Sequence, residues 1–193
     1  MPEWYNFSVE QRSYGSEGII IGRKNYGEAD RLLTIFTKYH GKVRVVAKGI
    51  RRTTSRKRGS AELFNYVKMF LARGRGLDIL TEIEIKKDYS NFRKDLLRVG
   101  VAYHLAEIVD RLTVEGQEHK EVFTLLEDAY SNLANLDYWA LHPYIQSFKV
   151  RVLEELGFLE RNREIPRNLD VYIEDLINGN LRTKKFLLQL GNK

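Results

Sequence analysis

The spacing of apolar residues changes once along this chain, near residue 90, and no other feature constrains the fold as much. Before that point, apolar and polar residues alternate with the period of two that is typical of β-strands. After it, apolar residues recur every three or four positions, as they do on one face of a helix. The sequence therefore predicts an α+β protein, with a β-domain of residues 1–90 followed by a helical domain of residues 91–193.

Five segments before residue 90 have the alternation or the β-branched content of strands. They are Gly18–Arg23, Arg31–Thr37, Val43–Lys48, Tyr66–Ala72 and Ile79–Ile85. Turn sequences such as Gly74-Arg75-Gly76 stand between them. Five short strands within about 70 residues are more typical of a small closed barrel than of a sandwich, so we expect a five-stranded β-barrel.

Three apolar stripes after residue 90 predict three amphipathic helices, over residues 97–112, 122–136 and 141–156. Gly157 is placed where the third helix would end. Pro143 either opens that helix or kinks one that begins near Tyr138. Two weaker helical signals follow, near residues 169–177 and 183–190. The chain has no long linker or repeat, so we expect the barrel to run directly into a helical bundle.

The positive charge is concentrated in the β-domain. Residues 1–90 carry 18 Lys and Arg against 10 Asp and Glu, whereas residues 91–193 carry 14 against 16. The densest stretch has Glu62 as its single acid; its basic residues are Lys42, Arg44, Lys48, Arg51, Arg52, Arg56, Lys57, Arg58, Lys68, Arg73 and Arg75. Such density usually serves a polyanionic partner, most often nucleic acid. A solvated basic face and a heparin or lipid surface are the alternatives.

Aromatic residues lie among these cations. A groove for a nucleic-acid strand needs cations for the phosphates and π-faces on which bases stack. Tyr39 and Tyr66 are the candidates for stacking, whereas core packing is the more common role for Phe70. The segment Ile50–Ser60 has almost no apolar residue to anchor it. We therefore expect it to be a solvent-facing loop that grips phosphates.

The residue types argue against catalysis and against bound metal. The chain has no cysteine, which excludes disulfides, thiolate zinc sites and cysteine nucleophiles. The four histidines lack metal-ligand spacing, and neither a Walker A loop nor an HExxH motif is present. We expect no enzyme activity, no catalytic residue and no cofactor. No apolar run approaches the ~20 residues of a membrane span, and the first residues do not resemble a secretory signal, so the expected compartment is the cytoplasm.

Several segments resemble the RecO family of bacterial DNA-repair proteins. The matching text comprises Gly18-Ile19-Ile20, Tyr26–Leu33 (YGEADRLL), Phe36-Thr37, Gly41-Lys42, Ala47-Lys48-Gly49, Arg51-Arg52, Ser55-Arg56 and Arg73-Gly74. It continues in the predicted helices with Ala106–Leu112 and Phe148–Gly157. The resemblance covers roughly Glu17–Phe158. It implies an oligonucleotide/oligosaccharide-binding (OB) barrel followed by a helical domain, which agrees with the period and the charge.

The resemblance also implies the function of a recombination mediator that needs no nucleotide. Members of the family bind single- and double-stranded DNA and anneal complementary strands. With a partner called RecR, they help to load the recombinase onto strands coated by single-stranded-DNA-binding protein. The helical half would dock the acidic, apolar-tipped tail of that protein, and Lys149 and Arg151 are the nearest candidates. A cytoplasmic, nucleoid-associated protein is expected.

The chain departs from the family at its C-terminal end. Many members carry a four-cysteine zinc module after the position of Gly157, but the corresponding segment here, Glu160–Asn168, has no cysteine. Zinc is therefore not expected. Residues 1–13 also have no counterpart in the resemblance.

Two other functions remain open. The first is a generic nucleic-acid-binding barrel without a mediator role, because composition does not separate DNA from RNA. The second is a helical adaptor whose basic loop is only a solvated face. The sequence does not indicate the oligomeric state.

Overall fold

The computed structural model describes residues 12–161, 164–184 and 187. Strands precede helices, as the change of period predicts, and the α+β class is confirmed. The strands are β1 (Ser13–Tyr26), β2 (Asp30–Thr37), β3 (Lys42–Ala47), β4 (Tyr66–Ala72) and β5 (Asp78–Lys87). A short 3-10 turn, Ser90–Phe92, leads to α1 (Leu96–Leu112), α2 (Lys120–Leu133), α3 (Tyr138–Glu155) and α4 (Leu169–Leu176). Residues 182–184 are helical as well.

The five strands form a closed barrel in the order β1-β2-β3-β5-β4. Neighbouring strands are antiparallel except β3 and β5, which pair in parallel. β1 closes the barrel because its first half pairs with β4 and its second half with β2, with an irregularity between Ile20 and Gly22. The predicted OB-type barrel is therefore confirmed. β1 is longer than the predicted Gly18–Arg23 because the polar residues before Gly18 pair with β4.

One hydrophobic core runs through the barrel and the helices. The ring of Phe123 on α2 lies 6.4 Å from that of Phe36 on β2 and 5.6 Å from that of Tyr66 on β4. Tyr130 on α2 contacts Phe64, just before β4, with ring centroids 5.5 Å apart. The proposed division after residue 90 thus marks a change of secondary structure, while the packing is continuous across it.

Helix α3 contains Pro143 and ends next to Gly157. The helix begins at Tyr138, so Pro143 does not open it. Gly157 has a positive φ of 76°. The N–H of Gly157 donates to the carbonyl of Glu154 and that of Phe158 to the carbonyl of Leu153, which is a Schellman cap.

The two weaker helical signals lie in the C-terminal segment. The signal near residues 169–177 is α4, whereas Phe186 and Leu190 of the second signal lie outside the described residues.

Within the ranges that the structure covers, no helix combines the length and the apolar character needed to cross a membrane.

Candidate nucleic-acid interface

The basic loop, residues 50–60, joins β3 to β4 at the end of the barrel where β1 turns into β2. Its first residue does not face solvent as predicted, because Ile50 is fully buried. The N–H of Arg51 donates to the carbonyl of Ala29 at 2.9 Å, and its guanidinium donates to the carbonyl of Glu28 at 3.0 Å. Main-chain contacts to the β1–β2 turn therefore anchor the base of the loop.

The rest of the basic loop presents its cations outward. Arg52, Arg56 and Arg58 are exposed, and the Lys57 ammonium donates to the carbonyl of Thr81 on β5. Among the described residues, none of these four cations pairs with a carboxylate. Glu62, the one acid of the basic stretch, pairs instead with Arg23 and Arg31. The loop therefore keeps its positive charge available.

The outer face of β1, β2 and β3 adds cations beside the loop. The register aligns Lys24 with Leu32 and Leu32 with Val46, so one row crosses the three strands. Lys48 follows Ala47, the last residue of β3, and is exposed. Lys24 and the exposed Tyr26 were not predicted, because β1 extends past the segment that the apolar run indicated.

Two predicted phosphate contacts are engaged by the helical half. Lys42 is only 6% exposed; its ammonium donates to the carbonyl of Asp110 and lies 3.1 Å from the carboxylate of that residue. Arg44 is half exposed, with its Nε 2.8 Å from the Glu115 carboxylate. This placement removes Lys42 from the candidate interface and lowers the net charge around Arg44.

Tyr66 and Phe70 have the opposite of their expected environments. Tyr66 is 5% exposed because α2 covers it, and its hydroxyl donates to Glu17 at 2.7 Å. Burial, followed by the bond to Glu17, raises the Tyr66 pKa. Phe70 is 43% exposed and lies over Gly15, which has no side chain to cover it. Phe70 is therefore the accessible ring on β4, and Tyr66 is part of the core.

Lys68 projects from the outer face of the barrel, where acids balance its charge. Its cross-strand partners are Glu17 on β1 and Glu84 on β5. Directly opposite residues on one face lie close enough to interact. Lys68 is exposed, but its surroundings are of mixed sign.

Three predicted residues remain, Tyr39, Arg73 and Arg75. They lie at the turn between β2 and β3 or next to it. We call Tyr14, Lys38, Tyr39, His40 and Arg73 the turn cluster. The Arg73 guanidinium lies over the Tyr14 ring, 5.2 Å from its centroid, and the His40 ring lies 5.1 Å from the same ring. Tyr39 is 50% exposed, with the Lys38 ammonium 5.3 Å from its ring centroid. Arg75 is exposed in the adjacent β4–β5 loop.

The two candidates for a partner tail lie on different faces of α3. Lys149 is buried, and its ammonium donates to Asp170 Oδ1 at 2.5 Å. Burial lowers the Lys149 pKa, although the bond to Asp170 opposes that shift. Lys149 lines a cavity of about 540 Å³ between α1, α3 and α4; its apolar lining comprises Leu97, Val101, Leu141, Ile145 and Leu187. His104 also lines the cavity, and its buried Nε2 has no hydrogen-bond partner among the described residues.

Arg151 is exposed and belongs to a second groove of about 470 Å³. Val150, Ile165, Pro166 and Arg167 also line this groove. Both grooves combine apolar walls with cations, and the cation of the first, Lys149, is buried.

The residues present do not fit a four-cysteine zinc module. The segment 160–168 contains no cysteine, and its residues 162 and 163 lie outside the described part. Across the described ranges, no three His, Asp or Glu side chains are grouped closely enough to hold a metal ion.

Comparison with known proteins matches two family models to successive parts of the chain. The family model described as "Recombination protein O N terminal" matches residues 12–89, and "Recombination protein O C terminal" matches residues 93–159. A DNA repair protein RecO from Roseiflexus sp. (strain RS-1) is 40% identical over 151 residues, which are 78% of this chain and 52% of that protein. A DNA repair protein RecO from Pelotomaculum thermopropionicum is 34% identical over 145 residues, covering 75% of this chain and 56% of that protein. The chain thus spans about half the length of these curated relatives.

Proposed function

The chain belongs to the RecO family, and we propose that it acts in DNA repair as a recombination mediator that binds single- and double-stranded DNA and anneals complementary strands. The observation that carries this proposal is the basic loop. An OB-type barrel presents there a group of arginines that are exposed and unpaired among the described residues. Exposed cations without a carboxylate partner can neutralise phosphates, and the release of the counterions condensed on the nucleic acid then favours binding.

The anchoring of the basic loop supports a role in binding. Arg51 is held by main-chain carbonyls of the β1–β2 turn, so the base of the loop has a defined position on the barrel. Lys24, Lys48 and Tyr26 extend the same surface along the strands. Phosphates would lie along the cations, and bases would stack on exposed rings, without selection for sequence.

In this proposal, the helical half binds the protein partners. The partners are a RecR-like protein and the acidic, apolar-tipped tail of a single-stranded-DNA-binding protein. The cavity beside Lys149 suits such a tail because its lining combines apolar side chains with Lys149, Lys184 and His104. The apolar end of the tail would fill the cavity, and its carboxylates would face these cationic and imidazole groups. The groove beside Arg151 is the alternative site for the tail.

Strand annealing tests the central proposal. Complementary strands are first coated with the single-stranded-DNA-binding protein of the host, and annealing is followed by fluorescence. The full chain should accelerate annealing without added nucleotide. A protein that binds DNA and RNA equally and leaves coated strands apart would instead be a generic nucleic-acid-binding barrel. A protein that binds neither would be a helical adaptor.

Two tryptophan substitutions on α3 test the tail site in the full chain. His142→Trp fills the mouth of the Lys149 cavity, whereas Ser147→Trp fills the Arg151 groove; both positions are exposed. A labelled tail peptide should lose affinity for His142→Trp and retain it for Ser147→Trp. The reverse result would assign the tail to Arg151. Equal binding to the unmodified chain and to both variants would leave the helical half without this role.

A further inference from the structure

The cavity between α1, α3 and α4 contains a buried nitrogen that bonds to no group in the described part of the chain. This nitrogen is Nε2 of His104, whose side chain is 1% exposed and lines the cavity. Asp170 Oδ1 lies 3.8 Å from it, beyond hydrogen-bond distance, and accepts from the ammonium of Lys149. Buried polar atoms are almost always hydrogen-bonded, so Nε2 is a candidate contact for a ligand of the cavity.

The other ring nitrogen of His104 determines what Nε2 can bind. Nδ1 lies 2.7 Å from Thr183 Oγ1, and that hydroxyl lies 2.5 Å from Glu107 Oε2. An ionised carboxylate can only accept, so the single hydroxyl hydrogen of Thr183 points to Glu107. Thr183 Oγ1 then accepts from His104, and the ring proton stands on Nδ1. In the neutral imidazole, Nε2 is therefore a hydrogen-bond acceptor.

The surroundings of His104 keep its imidazole neutral. Burial, aided by the charge of Lys149, lowers the His104 pKa to about 4, so Nε2 carries no proton near pH 7. An acceptor of this kind repels a carboxylate and attracts an N–H or O–H group. The part of a ligand that faces His104 is therefore a hydrogen-bond donor, and its carboxylates would face Lys149 and Lys184 instead.

A peptide whose apolar tip enters the cavity needs such an acceptor. The lining includes Val101, Leu141 and Ile145, against which an apolar side chain can be buried. The backbone N–H of the same residue is buried with it, and a buried N–H without a partner is costly. Apolar side chains supply no acceptor for that N–H, whereas His104 Nε2 does.

We propose that His104 is a binding residue of the tail site, and that its Nε2 accepts the backbone N–H of the residue at the apolar tip of the single-stranded-DNA-binding protein tail. This inference rests on the proposed function, because it assumes that the tail occupies the cavity beside Lys149. The lysines attract the acidic part of the tail, whereas His104 fixes how its tip is seated. Thr183 and Glu107 are positioning residues, since they hold the ring proton on Nδ1.

An ester analogue of the tail peptide tests the proposed contact. Its tip N–H is replaced by an ester oxygen, which removes one donor and leaves every side chain in place. Fluorescence anisotropy with the full chain at pH 7 should show that the ester binds about five- to tenfold more weakly than the peptide. In a His104→Asn variant, the amide can still donate to Thr183 but Nε2 is gone. Peptide and ester should therefore bind this variant with similar affinity.

His119→Asn is the matched control, because His119 precedes α2 and does not line the cavity. This variant should show the same ester penalty as the unmodified chain. Thr183→Val serves if His104→Asn does not fold, because it removes the hydroxyl that holds the ring proton on Nδ1, and the penalty should then shrink. The proposal is overturned if the unmodified chain shows no ester penalty, or if the penalty persists unchanged in the folded His104 or Thr183 variant.

Nitrogen NMR of the histidine rings separates this inference from the proposed function. Without peptide, His104 should show a proton on Nδ1 and none on Nε2, and its Nε2 resonance should shift when the tail peptide is added. A proton on Nε2, or equal affinity for peptide and ester, would exclude the contact and leave the tail site standing. A peptide that does not bind the unmodified chain would exclude the tail site and, with it, this contact.

Discussion

Lys42 and Lys48 stand near the two ends of β3, and their environments are opposite. The ammonium of Lys42 reaches the carbonyl of Asp110 in the last turn of α1, where helix carbonyls have no partner within the helix. A cation at a helix C-terminus is also favoured by the helix dipole. Lys48 is exposed and makes no such contact within the part of the chain that the structure describes. Lys42 is therefore a structural cation, whereas Lys48 is accessible for the proposed contact with DNA.

Replacing each lysine by Ala should have opposite effects. Lys42→Ala leaves the Asp110 carbonyl without its donor, so we expect the free energy of unfolding to fall by about 1–3 kcal/mol. The slope of log DNA affinity against log salt should not change. Lys48→Ala should leave stability within about 0.5 kcal/mol and flatten that slope by about 0.7. Urea unfolding and fluorescence titration measure the two quantities, and a flatter slope for Lys42→Ala would return that residue to the interface.

His104 makes stability depend on pH. Its imidazole is buried on α1, and it faces Lys149, Asp170, Glu107, Lys184 and Thr183. Burial, aided by the charge of Lys149, lowers the His104 pKa from 6.5 to about 4. Below pH 6.5 the unfolded chain therefore binds a proton that the folded chain rejects, so stability is lost as the pH falls toward 4.

Between pH 7 and pH 5 we expect His104 to reduce the free energy of unfolding by roughly 2 kcal/mol. A His104→Asn variant should be less stable at pH 7 but should lose less stability on acidification. The difference between the two unfolding curves is the readout, because His119, whose pKa burial also lowers, contributes equally to both. Parallel curves would show that His104 does not titrate differently on folding.

At the scale of elements, the basic loop combines a fixed base with free cations. Ile50 is buried and Arg51 binds the β1–β2 turn, while Arg52, Arg56 and Arg58 remain exposed. Removing the exposed charges should therefore affect binding more than folding.

The variant with Ala at Arg51, Arg52, Arg56, Lys57 and Arg58 should bind single strands more weakly. Each phosphate contact that is lost should flatten the salt dependence by about 0.7, whereas single substitutions should have mild effects because the contacts are many and screened. Circular dichroism should show the barrel intact. An unchanged salt slope would exclude the loop from the phosphate contacts.

At the scale of the whole molecule, the aromatic rings packed between α2 and the barrel couple the unfolding of the two halves. Phe123 and Tyr130 of α2 pack against residues of the barrel side, so the helical bundle shares its core with the barrel. The two halves should therefore unfold together.

Phe123→Ala should lower the free energy of unfolding by about 3–5 kcal/mol. Hydrogen exchange in β2 and α2 should accelerate to the same extent, because the ring belongs to both halves of the core. Trp139→Ala, at an exposed position of α3, should change stability by less than about 0.5 kcal/mol. Faster exchange in α2 alone would mean that the halves are energetically independent.

A chelator should change neither the melting temperature nor DNA binding. The chain has no cysteine for a thiolate zinc site, and apolar residues of α4, such as Leu169 and Ile173, are buried in the core. Elemental analysis should therefore find no stoichiometric zinc. A chelator-sensitive melting temperature would point to a metal site built from other ligands.

The kind and order of the elements and the location of the charge can be read from local sequence patterns. Periods of two and of three to four residues are local properties, so β4 is found at its predicted limits, and α1 begins within one residue of its predicted start. The Schellman cap at Gly157 and the exposed arginines of the basic loop are local in the same sense.

Only the tertiary structure decided which charged and aromatic residues remain accessible. Lys42 is buried by Asp110, which lies 68 positions away in the chain, and Tyr66 is covered by Phe123 of α2. Phe70 is exposed because its neighbour across the strands is Gly15. Burial depends on which distant residue arrives at a given face, and neither alternation nor charge density carries that information.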